Sequence, residues 1–141
     1  MSQETVEVAR AFTAAFNAGD EEALVACCDP EVVLHSTFAA IGGADYHGHA
    51  GLRQWHRDLE QAWGGEIRSE LEALFDLGET VLVFSELRGR GQQSGVEVGL
   101  PAAMVVSSRD GRVAYFKGYA HREDALADLG VSEDALERIS P

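Results

Sequence analysis

The stretch Glu66-Ile67-Arg68-Ser69-Glu70-Leu71-Glu72-Ala73-Leu74-Phe75-Asp76-Leu77 decides the fold. Ile67, Ser69, Leu71, Ala73, Phe75 and Leu77 alternate with Glu66, Arg68, Glu70, Glu72 and Asp76, and a period of two is the signature of a strand with one buried face. Downstream, turn residues at Leu77-Gly78-Glu79, at Gly91 to Gly95 and at Arg109-Asp110-Gly111 divide the chain into three further strands joined as successive hairpins. An antiparallel meander is predicted.

Upstream of that stretch the period is helical. Val8, Phe12, Ala15 and Phe16 recur on one helix face, and Asn17-Ala18-Gly19-Asp20 reads as a helix stop followed at once by a new N-cap. A second helix from about Glu21 to Cys28 ends at Asp29-Pro30, and a strand from Glu31 to Phe38 follows. After a loop with Gly42-Gly43, a third helix runs from about Gly51 to Trp63, with Leu52, Trp55, Leu59 and Trp63 as its apolar stripe and Gly64-Gly65 as its end. Beyond the meander, a short helix from about Arg122 to Leu129 stops at Gly130, and Ser132 caps a last amphipathic turn or two. The expected architecture is α+β: a cone-shaped, curved antiparallel sheet with three helices on its concave face, leaving a pocket for a small molecule. Leu82 and Phe84 alternate with Val81 and Val83, so both sheet faces are apolar, and a homodimer through the outer face is expected.

Residues 1–141 have the size of a single domain, with 45% hydrophobic and 25% charged residues, a balance that can bury a core. Eleven basic against twenty-four acidic residues give a net charge of -13, which repels nucleic acid and anionic membranes. Met1 to Arg10 carries Glu4 and Glu7 and no apolar run, and no stretch reaches membrane-spanning length, so a cytoplasmic protein without signal or anchor is expected. The adjacent Cys27 and Cys28 are poorly placed for a disulfide and read as small core residues in a reducing compartment.

The segments FTAAFNAGD (Phe12 to Asp20), YHGHAGLRQW (Tyr46 to Trp55), GRGQQSG (Gly89 to Gly95), Asp110-Gly111 and YAHREDALADLG (Tyr119 to Gly130) resemble the SnoaL-like branch of the nuclear-transport-factor-2-like, or cystatin-like, superfamily. That superfamily also contains ketosteroid isomerases, polyketide cyclases and limonene epoxide hydrolases. The resemblance spans nearly the whole chain and implies a cofactor-free fold, though one that hosts many reactions. Aligned on the AFNAGD segment, the isomerase general base falls on His35, the oxyanion-holding phenol on Phe12 and the assisting carboxylic acid on Ala103. Neither Phe12 nor Ala103 can stabilise an enolate, so the usual isomerase route is not expected.

What the resemblance leaves is acid/base chemistry of the isomerase, cyclase or hydrolase kind on a small apolar or aromatic, carbonyl-bearing molecule. His35 is the candidate base and Tyr119 the candidate hydrogen-bond donor. Phe12, Phe16, Tyr46, Trp55, His56, Trp63, Ser85 and Ala103 are the candidate substrate-binding residues. Each has a plainer reading: His35 as a hydrogen-bonded rim histidine, Tyr119 and the tryptophans as packing, His56 as an exposed helical position, Ser85 as a small filler. His47, His49 and His56 lie close in sequence, yet no metal is expected, because the glycines between them serve a turn and the imidazoles need not converge. Gly89 to Gly95 lacks phosphate-loop spacing and is hairpin chemistry. Arg88 and Arg90 are read as interface ion pairs, and the acids from Glu123 to Glu137 as a solvated helical face. The alternative function is a ligand-binding or dimerisation module without catalysis.

Overall fold

The computed structural model describes residues 2–36, 44–63, 67–90 and 96–139. Helices α1 (Ser2–Ala18) and α2 (Glu21–Ala26) lead into strand β1 (Cys28–Ser36), strand β2 (Ala44–His47) and helix α3 (Gly48–Trp63). Strands β3 (Arg68–Asp76), β4 (Thr80–Arg90), β5 (Glu97–Arg109) and β6 (Arg112–Tyr119) follow, then helix α4 (Arg122–Leu129), a 3-10 turn and the two-residue strand β7 (Arg138–Ile139). One curved seven-stranded sheet results, in the order β2-β1-β6-β5-β4-β3-β7.

The α1 to α2 junction forms as its sequence dictates. Gly19 takes a left-handed φ of 67°, its N–H donates to Phe16 O, and the Asp20 N–H donates to Ala15 O, closing the end of α1. Asp20 then caps α2 by accepting from the Ala23 N–H at 3.1 Å. At the other hairpin decided by sequence, Asp110 and Gly111 have φ of 53° and 75°, the paired positive values that a tight β5 to β6 turn requires.

Several expectations change. Ala44–His47, read as loop, is a strand antiparallel to β1, and β1 runs parallel to β6, so the sheet is mixed. Strand β1 begins at Cys28 rather than Glu31, and α3 begins at Gly48 rather than Gly51. The tail ends in β7, hydrogen-bonded to β3, rather than in helical turns alone. Gly42-Gly43, Gly64-Gly65, Thr37-Phe38 and the turn at 91–95 lie outside the described residues.

The largest correction lies within β3. Its pairing with β4 shifts register between Leu71 and Ala73, a bulge that spends one extra residue and exchanges the two faces. Before it, Ser69 looks toward the helices; after it, Leu74 does so, while Ala73 and Phe75 join the opposite face. Glu72, the extra residue, accepts from Arg122 Nη2 at 2.8 Å.

Two apolar clusters follow. On the inner face Val32, Leu34, Leu74, Val83, Val106 and Phe116 pack against Ala9, Phe12, Leu24, Leu52 and Trp55 of α1, α2 and α3. On the outer face Phe75, Leu82, Phe84, Val105 and Tyr119 pack against Ala125 of α4, with Leu126, Leu129 and Leu136 around them. Leu82 and Phe84, whose apolarity prompted the expectation of a second subunit, are therefore buried within a single chain.

Candidate functional site

Helices α1 and α3 lean over the inner face and cover an apolar cavity that is open at its mouth. Phe12, Thr13 and Phe16 come from α1, and Trp55 and Leu59 from α3. The sheet contributes Ser36, Ser69, Ser85, Leu87, Ala102, Ala103, Met104, Phe116 and Gly118, with Ile67 at the start of β3. The aromatic wall is continuous: Phe12 lies 5.3 Å from Phe116 and 5.8 Å from Trp55, and Phe16 lies 5.7 Å from Trp55, centroid to centroid. Asn17 anchors the end of α1 over this space. Its Nδ2 donates to Ser69 O at 2.8 Å, and its Oδ1 accepts from the Ser69 N–H at 2.7 Å, so the helix is docked as a strand would be.

The polar atoms on the wall are few. Thr13 Oγ1 donates to Ala9 O at 3.0 Å; Ser36, Ser69 and Ser85 are buried hydroxyl residues; the Trp55 indole N–H finds no acceptor among the described residues. None of the described lining residues is ionisable.

A second hollow adjoins the cavity through Phe16, Leu59 and Ile67, and there titratable groups are present. His56 is 7% exposed. Its Nε2 lies 3.3 Å from Glu60 Oε1 and its Nδ1 3.8 Å from Glu21 Oε1.

Of the residues singled out from sequence, Phe12, Phe16, Trp55, Ser85 and Ala103 line the cavity and His56 lines the neighbouring hollow. Tyr46 is buried outside the cavity, and its hydroxyl donates to Asp58 Oδ2 at 2.6 Å. Trp63 is half-buried against the inner core without reaching the cavity.

The proposed base and donor are displaced. Leu34 and Ser36 point inward, so strand parity sends His35 to the outer face. There it pairs with Asp45 through Nδ1 and packs edge-on against Tyr115. Phe116 and Gly118 point inward, which sends Tyr119 outward as well. The Tyr119 hydroxyl donates to Asp128 Oδ2 at 2.8 Å, and Lys117 Nζ donates to the same oxygen at 3.1 Å. The Tyr119 hydroxyl and then Lys117 hold Asp128 below the usual carboxylate range, while burial and then Asp128 raise Tyr119. These groups fasten α4 to the sheet.

The other motifs resolve similarly. Arg88 lies 3.0 Å from Glu70, 3.1 Å from Glu86 and 3.7 Å from Glu97, an ion cluster within the chain. His49 Nε2 meets Cys28 O at 2.9 Å, and no group of three or more metal-ligating side chains gathers among the described residues. Cys28 is buried in the inner core, and the Cys27 thiol donates to Leu24 O at 3.2 Å.

Tyr46 yields a pH prediction. Burial, and then Asp58, push its hydroxyl from 10.0 up to about 12. A raised folded pKa means that its contribution is fully present below about pH 10 and is lost as pH rises toward about 12. Tyr46→Phe should cost about 1–2 kcal/mol at neutral pH and make the decline across that alkaline window shallower, as read by urea denaturation at stepped pH. An unchanged alkaline slope would contradict this.

Thr13, Ser36, Leu59, Ile67, Ser69, Leu87, Ala102, Met104, Phe116 and Gly118 complete the cavity and were not among the candidate site residues. Thr13 is adjacent to Phe12 on α1, and the inward parity of β6 is set by Phe116, which touches Phe12. Ser69 could not be assigned a face without the bulge.

The comparisons agree with this architecture. The profile of the SnoaL-like domain matches residues 9–116. No curated protein matches the sequence. Among solved structures, TerC co-crystallised with polyporic acid superposes with a TM-score of 0.74 at 21% identity, over 89% of this chain and 97% of that one. A hypothetical protein of ketosteroid isomerase-like fold from Catenulispora acidiphila, in complex with trimethylamine, gives 0.70 at 17% identity, over 97% and 99%. A candidate polyketide cyclase from Sinorhizobium meliloti gives 0.65 at 21% identity, over 84% and 98%. With the profile covering most of its length and the cavity closed by the same helices and sheet that the profile spans, the chain belongs to the SnoaL-like domain family, on the nuclear-transport-factor-2-like fold.

Proposed function

We propose that this chain binds a small, uncharged, largely apolar molecule in the cavity beneath α1 and α3. One observation carries the reading: the wall is built of aromatic and aliphatic side chains with a few hydroxyls, and its described residues include no ionisable group. Such a site favours burial of apolar surface and disfavours charge. Two structural neighbours of the same fold hold polyporic acid and trimethylamine, which supports a ligand-holding role for the fold.

A second reading adds turnover. His56, flanked by Glu21 and Glu60 beside the cavity, is favoured by its burial and its two carboxylate neighbours. The cofactor-free isomerase, cyclase or hydrolase chemistry expected of the family would then run from His56, with the carbonyl compound held in the cavity. His35 and Tyr119 face the other way.

The test uses 2-acetylnaphthalene followed by quenching of tryptophan fluorescence. Saturable binding to the wild type is expected. Ala102→Phe, which fills the cavity, should weaken it by at least about tenfold, with Ser85→Met as a second filling variant should the first misfold. Undiminished affinity in a folded filling variant would contradict the proposal. Exchange of the ligand's methyl protons in D2O, lost in His56→Gln, selects the enzyme reading; binding without exchange selects the carrier.

A further inference from the structure

We infer that the paired outer ends of β4 and β5 carry a second part of the ligand site, an apolar strip that leads out of the cavity mouth and takes a linear aliphatic tail attached to the body held inside. This rests on the cavity being a ligand site and adds that its ligand is elongated. Among the described residues the exposed large hydrophobics are Val96, Val98 and Leu100, two alternate positions of β5 and the residue just ahead of that strand. A single exposed aliphatic is ordinary, whereas a contiguous row marks a contact surface.

The register fixes which way the row faces. Strands β4 and β5 pair residue for residue from Thr80 with Ser107 to Arg90 with Glu97, so Leu100 shares a face with its partner Leu87, and Leu87 lines the cavity. Ala102 and Val98 lie two residues to either side of Leu100 and therefore on that same face, and Ala102 lines the cavity too. Along this face exposure is 3% at Ala102, 37% at Leu100 and 40% at Val98. The inner end of the row is covered, and the outer end, leaving the mouth, is bare.

The other face of the same rungs is charged. Glu86, Arg88 and Glu97 stand there, with Arg88 3.1 Å from Glu86 and 3.7 Å from Glu97. The charged face is suited to water, while Val98 and Leu100 hold apolar surface in water at a cost that a ligand tail relieves. Opposite Val98 stands Gly89, which presents no side chain, so the strip is one side chain wide at its outer end. At a strand rise of about 3.4 Å per residue it runs for about 14 Å from Ala102 to Val98. A narrow strip of that length fits a linear chain. The chemical class is an uncharged molecule with a compact apolar body, held in the cavity, and an alkyl or acyl tail lying along Leu100 and Val98.

The test compares 2-acetylnaphthalene with 2-hexanoylnaphthalene, which adds four methylenes, by quenching of tryptophan fluorescence. The longer ketone should bind the wild type about tenfold more tightly, less than full burial of the added chain would give, because the strip covers one side of it. The double variant Val98→Ser with Leu100→Ser alters exposed positions. It should hold the acetyl compound within about twofold of the wild type and lose most of the gain from the longer chain.

A tenfold gain that survives in the folded double variant, or equal binding of the two ketones to the wild type, would overturn the inference while leaving the cavity a ligand site. Binding of neither ketone would overturn the cavity reading itself. Sedimentation of the same proteins tests the competing occupant: a wild-type dimer that the double variant dissociates would place a second copy of the chain on the strip and overturn the tail site. Should the double variant misfold, Val98→Thr keeps the branched side chain of a strand residue and should still lose part of the gain; an undiminished gain there would count against the strip.

Discussion

Phe12→Ala should lower stability by about 3–5 kcal/mol, the range for truncating a buried aromatic ring. Phe12 is 3% exposed and joins the two walls of the inner core, meeting Trp55 on α3 and Phe116 on β6. Truncation removes both ring contacts and enlarges a cavity that already opens beside the residue, so collapse of the surroundings cannot recover the loss. Domains of this size hold about 5–15 kcal/mol in total, and the variant should unfold at markedly lower urea with an unchanged denaturant slope. A loss below about 1.5 kcal/mol would mean that α1 is not packed on the sheet as described.

Arg122→Met should cost about 2–4 kcal/mol, although the residue begins a short helix on the opposite face of the sheet from α1 and α3. Its guanidinium donates to Ser85 O at 2.8 Å, to Ala102 O at 3.3 Å and to Glu72 at 2.8 Å, and it lies 4.9 Å over the Phe84 ring. One side chain thus ties α4 to β3, β4 and β5, and it engages the residue that the β3 bulge leaves over. Arg122→Lys should recover only part of the loss, because an ammonium cannot reproduce the planar fork. Limited proteolysis gives a second readout: cleavage within α4 should accelerate in Arg122→Met before global unfolding. Equal protection of α4 in both proteins would contradict this account.

The fold was legible wherever local chemistry had a single solution. The Asn17 to Asp20 junction, the stripe on α3 and the Asp110-Gly111 turn each satisfy backbone requirements that few other arrangements meet. Ala44–His47 was missed because four residues show too little periodicity, and Gly48 immediately after them reads as turn. The alternation through β3 correctly announced a strand. It could not announce the bulge at Leu71 to Ala73, which depends on the pairing with β4.

The site was legible in part for a related reason. Helical spacing placed Phe12, Phe16 and Trp55 inward, since only one face of α1 or α3 is broadly apolar. Strand parity is ambiguous when both faces carry apolar residues, as on β6, where Phe116 and Tyr119 stand an odd number of positions apart and face opposite ways. On β1 the signal existed. Val32 and Leu34 form the more apolar set, which places His35 with the outward Val33, yet alignment to a catalytic position drew it inward.

The measurement that tests the central claim most directly is a crystal structure of the protein grown with 2-acetylnaphthalene. The account predicts the ligand between Phe12, Phe16, Met104 and Phe116. A ligand seated instead on the outer face beside His35, Asp45 and Tyr115, with the inner cavity closed by side chains, would contradict it.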